Sequence, residues 1–473
     1  MKRTALIVAI FLAFLSYGMT QVSDGYNIEF TIEGNENSFV SLAYHLGDKQ
    51  YIKDTCKTDA AGSGRFTGTM PLDQGLYMIV MPDSRYFEII LSNDQKFSVG
   101  CTRNDLLNSL NFSGSEENIA FLEYQKRWVD LQNRASDIRT RINQNSSGND
   151  SLKLLTELQS VHEKKMIGYL EKVMEDNKGT LLSALVGAML PIQLPQFEIP
   201  FDEPNPDSLK WIMNYHYNKE HFFDYVDLTD NRLIRTPLLH TKLYTFFNNV
   251  ILQIPDSVNH EIDRIVGMCQ PDKEVFRFVV VFLFNHFRAS QIMGHDAIMV
   301  KLADDYYLSG RADWVDEEFK ASLKKDVDLL RFNLIGNKGV DLTMETYEGV
   351  HKSLYDIRKT FTILYFWEPD CGHCMESTPL LKELYIKHGD EDIEVFAVCT
   401  QNKRDAWEKY IKENELEWIN GWDPYRDSHF DFYYNVTSTP MIYILDRNKT
   451  IIAKKLPVES IEQFLDNYRK QGR

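Results

Sequence analysis

A run of strand-forming residues ends on two cysteines held two residues apart. Phe361-Thr362-Ile363-Leu364-Tyr365-Phe366 is β-branched and aromatic, and long enough for a buried strand. Cys371-Gly372-His373-Cys374 follows, and beyond it Leu380, Leu381, Leu384 and Tyr385 recur at helical spacing. The pattern reads strand, turn, helix. It puts the first sulfur at the exposed helix start and the second one turn inside. Unpaired N–H groups and the positive end of the helix dipole there favour the thiolate of Cys371. His373, when protonated, favours it further. A lowered pKa gives more thiolate and a better leaving group. Cys374 then stands where it can resolve a mixed disulfide formed by Cys371. Such a pair suits dithiol–disulfide exchange and needs no cofactor beyond its own Cys371–Cys374 bridge.

The residues around the pair extend the pattern. Pro379 falls inside the helix and should kink it. Val395 to Cys399 reads as a strand and Trp407 to Glu413 as a helix. Met441 to Leu445, the turn Asp446-Arg447-Asn448-Lys449 and Thr450 to Ala453 read as a hairpin, and Ile461 to Tyr468 as a closing helix. Ser438-Thr439-Pro440 precedes the hairpin. With these features, roughly residues 335–473 resemble the thioredoxin fold, in the TlpA/ResA-like branch of extracytoplasmic thiol–disulfide oxidoreductases. Gly339-Val340-Asp341-Leu342-Thr343 resembles the branch's opening strand. The gap from Cys374 to Pro440 is longer than in plain thioredoxin by about one strand and one helix, as in that branch.

The resemblance implies roles. Cys371 is the attacking thiol, Cys374 the resolving thiol and Pro440 a cis-proline, with Thr439 before it able to contact substrate. Trp367 matches an aromatic residue packed near the dithiol. Asp370, Gly372 and His373 are expected to tune the redox chemistry or touch substrate. Two positions depart from thioredoxin. Tyr365 stands where thioredoxin has a buried aspartate, and Asp370 stands where it has tryptophan; the negative charge of Asp370 could oppose thiolate formation. The Gly372-His373 dipeptide is that of protein disulfide isomerase, whose potential is about −180 mV against about −270 mV for thioredoxin. A zinc site would need two more ligands at suitable spacing, and no second cysteine pair exists, so no metal is expected.

At 473 residues the chain is too long for one ordinary domain. Lys2 and Arg3 precede the apolar run Ala5 to Leu15, and Gly18 and Thr20 follow, which is the pattern of a secretory signal over residues 1–20. An uncleaved anchor is the alternative. Export to a Gram-negative periplasm is the expectation. A formal net charge of −17 argues against nucleic acid as a partner. Six cysteines are too few to scaffold an exported chain of this length. Cys269 and Cys399 read as buried thiols. Cys56 and Cys101 share the N-terminal region, and the sequence leaves open whether they pair.

Residues 24–113 alternate in short runs separated by turn residues and suggest a β-sandwich-like domain. It resembles the β domain found ahead of thioredoxin modules in envelope proteins. Residues 115–334 are helical in pattern and resemble a helical domain of unknown function. His162 lies on an apolar stripe, as a core histidine would. Arg232, Arg235 and His240 could form an anion site, although solvated helix-end charges explain them too. The expected architecture is thus multidomain α+β: an antiparallel β domain, an all-α domain and a C-terminal α/β thioredoxin-like domain at 335–473. The expected function is exported reduction of protein disulfides in the cell envelope, with an unidentified electron donor or acceptor. Isomerisation or oxidation by the same thiols, and a non-catalytic binding scaffold, are the alternatives.

Overall fold

The computed structural model describes residues 25–144, 149–389 and 392–470. The expected signal segment at 1–20 lies outside the described residues. The chain packs as two compact units, one up to Tyr244 and one from Thr245. The helical stretch 115–334 is divided between them.

The first unit begins with eight strands: β1 (Asn27–Glu33), β2 (Phe39–Leu46), β3 (Lys49–Lys57), β4 (Ser63–Thr67), β5 (Gly75–Val80), β6 (Tyr86–Leu91), β7 (Lys96–Thr102) and β8 (Asn111–Ser113), with the short helix α1 (Leu106–Ser109) before β8. They form two four-stranded sheets, β4-β1-β7-β8 and β3-β2-β5-β6. Period-two alternation turns Ile28, Phe30 and Ile32 of one sheet and Leu42, Ile79 and Ile89 of the other into a shared core. The first sheet is not purely antiparallel, because β1 pairs with β7 in parallel. Cys56 on β3 and Cys101 on β7 belong to different sheets, and both are free thiols.

Helices α2 (Glu116–Gln144), α3 (Asn149–Asp176), α4 (Leu181–Met189), α5 (Pro206–His221) and α6 (Pro237–Thr245) follow. Strand β6 ends its sheet with unpaired backbone groups. The buried Asn118 of α2 takes them up, accepting from Ile90 N and donating to Ile90 O, both at 2.8 Å. A side-chain amide thus mimics one rung of a further strand. His162 is buried with Nε2 2.9 Å from the carbonyl of Leu131, a satisfied core histidine. Arg232, Arg235 and His240 do not converge on an anion. They face Asp230, Asp73 and Asp48 respectively.

The second unit opens with α7 (Pro255–Cys269), α8 (Lys273–Arg288), α9 (His295–Leu302) and α10 (Glu317–Arg331). The apolar run Phe278 to Phe284 lies within α8, whose N-terminus is capped by Asp272 accepting from Glu274 N and Val275 N. Among the described residues no helix is long and apolar enough to cross a membrane. A seven-stranded sheet follows in the order β10-β9-β13-β12-β11-β14-β15. Its strands are β9 (Thr343–Thr346), β10 (His351–Ser353), β11 (Phe361–Trp367), β12 (Ile393–Cys399), β13 (Ile419–Trp422), β14 (Met441–Leu445) and β15 (Ile451–Lys454). Helices α11 (Gly372–His388), α12 (Arg404–Asn414), α13 (Phe430–Tyr433) and α14 (Ile461–Lys470) connect or close it.

Strand β11 runs parallel to β12 and antiparallel to β14, and all seven of its residues are buried. Phe361, Ile363, Tyr365 and Trp367 face the core shared with α11, α12 and α14. Leu364 and Phe366 face the opposite core with Phe430, Tyr434 and Tyr443. The sheet is tied to the preceding helices by a buried ammonium. Lys454 of β15 donates to Asn333 O at 2.8 Å and Asn333 Oδ1 at 2.9 Å, and pairs with Asp296 of α9. Burial pulls the Lys454 pKa down, and the Asp296 carboxylate opposes that. This tie makes α9 and the turn after α10 part of the same body as the sheet.

Removing one partner of a buried ion pair leaves the other charge unmatched. Lys454→Met should therefore cost about 3–5 kcal/mol in guanidinium unfolding. A loss below about 1 kcal/mol would mean that water already screens the pair.

Candidate active site

The end of β11 and the start of α11 bring the two thiols together. Cys371 is the N-cap of α11, in extended backbone at φ −82° and ψ 120°. Its sulfur accepts the N–H of Cys374 at 3.4 Å, where a serine or aspartate oxygen usually serves. The same sulfur lies 3.5 Å from the carbonyl oxygen of Thr439, and the Thr439–Pro440 peptide is cis. Cys371 is partly exposed. Cys374, one turn in, is fully buried.

The two thiols are driven apart in acidity. Partial burial pushes the Cys371 pKa up. Hydrogen bonds to its sulfur from the Cys374 thiol, from the Thr439 side chain and from the N–H groups of Cys374 and His373 outweigh that, and hold it below its ordinary value. Burial pushes Cys374 well up, and the neighbouring Cys371 sulfur adds to the rise. Of the two, the accessible sulfur is therefore the one that ionises more readily.

The remaining expected residues fall around this pair with distinct environments. Trp367 is buried at the end of β11 and packs in the core that holds Cys374. Its ring lies parallel to that of Tyr365 at 6.4 Å and 5.1 Å from Tyr410. Gly372 and His373 are exposed on the first turn of α11. A Cβ added at Gly372 would meet open space, so packing does not demand glycine there. Asp370 does not leave its charge open towards Cys371. Lys403 Nζ donates to it at 2.6 Å, Gln401 Nε2 also donates, and the Lys403 contact foremost holds the carboxyl below its ordinary range. The expected conflict between Asp370 and the thiolate is thus relieved by a cation across the loop.

Several neighbours carried no signal in the sequence. Gln401 and Thr400, just after β12, bond the Glu368 carboxylate at 2.9 and 2.6 Å and fix the turn before Cys371. Thr378, one turn after Cys374, donates to the Cys374 carbonyl at 2.7 Å and lies 3.0 Å from the Tyr365 hydroxyl. Tyr365, in the place of thioredoxin's aspartate, is kept neutral: burial raises its pKa far above the ordinary value. The space behind Cys374 therefore holds hydroxyl groups instead of a carboxylate. Among the described residues, no three His, Cys, Asp or Glu side chains are grouped to hold a metal.

The comparisons with known proteins agree with this geometry. Residues 359–451 match the family described as thioredoxin-like. A thiol-disulfide oxidoreductase ResA of Bacillus cereus is 23% identical over 130 residues, which is 28% of this chain and 74% of the relative. The chain is a TlpA/ResA-like thioredoxin-fold protein. It is a thioredoxin-like thiol–disulfide oxidoreductase by family. A ResA of Bacillus thuringiensis is likewise 23% identical, over 29% of this chain and 78% of its own length. Among solved structures, a domain described as a possible thiol-disulfide isomerase from Cytophaga hutchinsonii is 36% identical, covering 29% of this chain and 95% of that one at TM-score 0.28. A thioredoxin-like protein from Bacteroides caccae is 21% identical, covering 58% and 97% at TM-score 0.44. Residues 26–121 match a domain of unknown function, DUF4369. That match covers the β region and reaches only the first residues of the helical stretch, at the start of α2.

The difference between the thiols sets a pH profile. Alkylation of Cys371 in the reduced protein should rise with pH and level off at a midpoint below about 8.5, the value of a free thiol. Cys374 should react at least about tenfold more slowly at pH 7. Mass spectrometry of the labelled peptides checks both, and equal, slow labelling of the two would contradict the acidity order.

Proposed function

We propose that this protein is an exported reductase of envelope protein disulfides that works through Cys371 and Cys374. The observation that carries this reading is the pairing of an accessible, acidified sulfur at a helix start with a buried, protonated one directly behind it. In the proposed cycle the Cys371 thiolate attacks one sulfur of a substrate disulfide. The substrate S–S bond breaks, the other substrate sulfur leaves as thiolate, and a mixed disulfide remains on Cys371. Cys374 then gives up its proton and attacks the Cys371 sulfur, which closes the Cys371–Cys374 bridge and releases the second substrate thiol. Two electrons pass from the dithiol to the substrate, and a separate donor must reopen the bridge. The Thr439 backbone beside Cys371 offers an edge on which an extended substrate strand can pair. Export is supported by Lys2, Arg3 and the apolar run Ala5 to Leu15.

The exposed Gly372-His373 pair favours a second reading, isomerase or oxidase. Both residues are free to shape the potential without disturbing packing. A potential near about −180 mV would support that reading, and one near about −270 mV would support reduction. A mere binding scaffold would not need a thiol poised for attack.

Cys374→Ser should trap substrates as mixed disulfides on Cys371 that dithiothreitol releases. The double variant Cys371→Ser/Cys374→Ser should trap none. Equal trapping by both variants, or none by the first, would remove the exchange reading.

A further inference from the structure

The first unit holds a cavity of about 420 Å³ that thiol chemistry does not use. Its walls come from strands and helices of that unit alone. Leu76, Phe121, Tyr124 and Leu185 are buried in its floor. Val129 of α2 and Met189 of α4 are exposed at its mouth. The aromatic faces are ordered: Tyr124 stacks near Phe121 and Trp128, with centroids 6.3 and 6.2 Å apart. Tyr124 is fixed from its far end, its hydroxyl donating to Met189 Sδ at 3.2 Å.

One lining residue breaks this apolar pattern. Glu88 of β6 points to the sheet face that α2 covers, opposite in phase to Phe87 and Ile89, which enter the sandwich core. Its hydrogen bond from Gln125 Nε2 is long, at 3.4 Å. Among the described residues that line the cavity, Glu88 supplies a carboxyl and no lysine or arginine answers it. Burial disfavours its charged form. A carboxylate at the wall of an aromatic pocket lacks what a bound cation would supply. The volume is that of a small-molecule site, with room for one ring and a short stem.

We propose that this cavity binds a small aromatic amine, its ring against Tyr124 and Trp128 and its ammonium on Glu88. The apolar floor takes the ring out of water, and the carboxylate selects a cation over a neutral or anionic group of the same shape. The site does not depend on the dithiol.

The test uses the full chain and two probes of matched shape and opposite charge, 2-phenylethylamine and 3-phenylpropionate, titrated by calorimetry at physiological salt. The amine should bind saturably at one site and at least about tenfold more tightly than the acid. Glu88→Gln should remove that preference. Val129→Arg sets a cation at the exposed mouth and should weaken the amine about tenfold, with an unchanged thermal unfolding midpoint as the control for folding. Equal binding of the two probes, no saturable binding of the amine at millimolar concentration, or unchanged amine binding in both variants would overturn the proposal.

Discussion

Strand β11 is buried on both faces, and the architecture of the C-terminal half follows from that. A strand with Ile363, Tyr365 and Trp367 on one side and Leu364 and Phe366 on the other cannot lie at a surface. It needs parallel and antiparallel neighbours along its edges and a layer of helices or loops over each face. Once β12 and β14 flank it and α11 covers it, the end of β11 must hand the chain directly to the start of α11. The first cysteine therefore emerges at a helix N-terminus because the core requires the strand to stop there.

The difference between the two thiols grows from the same geometry. Cys371 serves as an N-cap, so its sulfur receives an N–H that would otherwise be orphaned, and its anion is favoured. Cys374 faces the core with Trp367, in a place where a proton is easier to hold than a charge. Thioredoxin-like chemistry usually has a carboxylate nearby to receive that proton. Here Tyr365, Thr378 and the Thr378 bond to the Cys374 carbonyl fill the space. Hydroxyl groups can pass a proton but hold no charge at neutral pH, so in the proposed cycle the Cys374 proton goes to solvent or to the departing substrate thiolate. Asp370 acts on the site through its partners. With Lys403 and Gln401 engaged, it braces the turn before Cys371 and leaves the thiolate favoured.

The sequence made the centre of this site legible and its rim illegible. The period-two run from Phe361 and the cysteine spacing mark β11 and α11 because both patterns are local. Strand β3 escapes such reading: Lys49 to Lys57 is an edge strand with almost every side chain exposed, so burial leaves no alternation in it. The opening strand read at Gly339 to Thr343 falls instead at Thr343 to Thr346, and short β10 and β13 escape for want of length. Lys403, Gln401 and Thr400 reach the turn from more than thirty residues away in sequence, which no local pattern records. The division of the helical stretch at Tyr244 is also non-local. Within the second unit Lys454 bonds Asp296 and Asn333, which are over a hundred residues distant. A single lysine in a strand that reads as the second half of a hairpin gives no hint of that role.

The central claim is that Cys371 and Cys374 together form a two-electron couple that opens and closes while the rest of the fold stays intact. Equilibrating the folded protein across glutathione redox buffers, quenching with acid and mapping disulfides by mass spectrometry tests it most directly. The account predicts one reversible bridge, between Cys371 and Cys374, with a two-electron dependence on the buffer, while Cys56, Cys101, Cys269 and Cys399 stay reduced throughout. A bridge that forms elsewhere, or a Cys371 that takes up glutathione without ever closing onto Cys374, would contradict it.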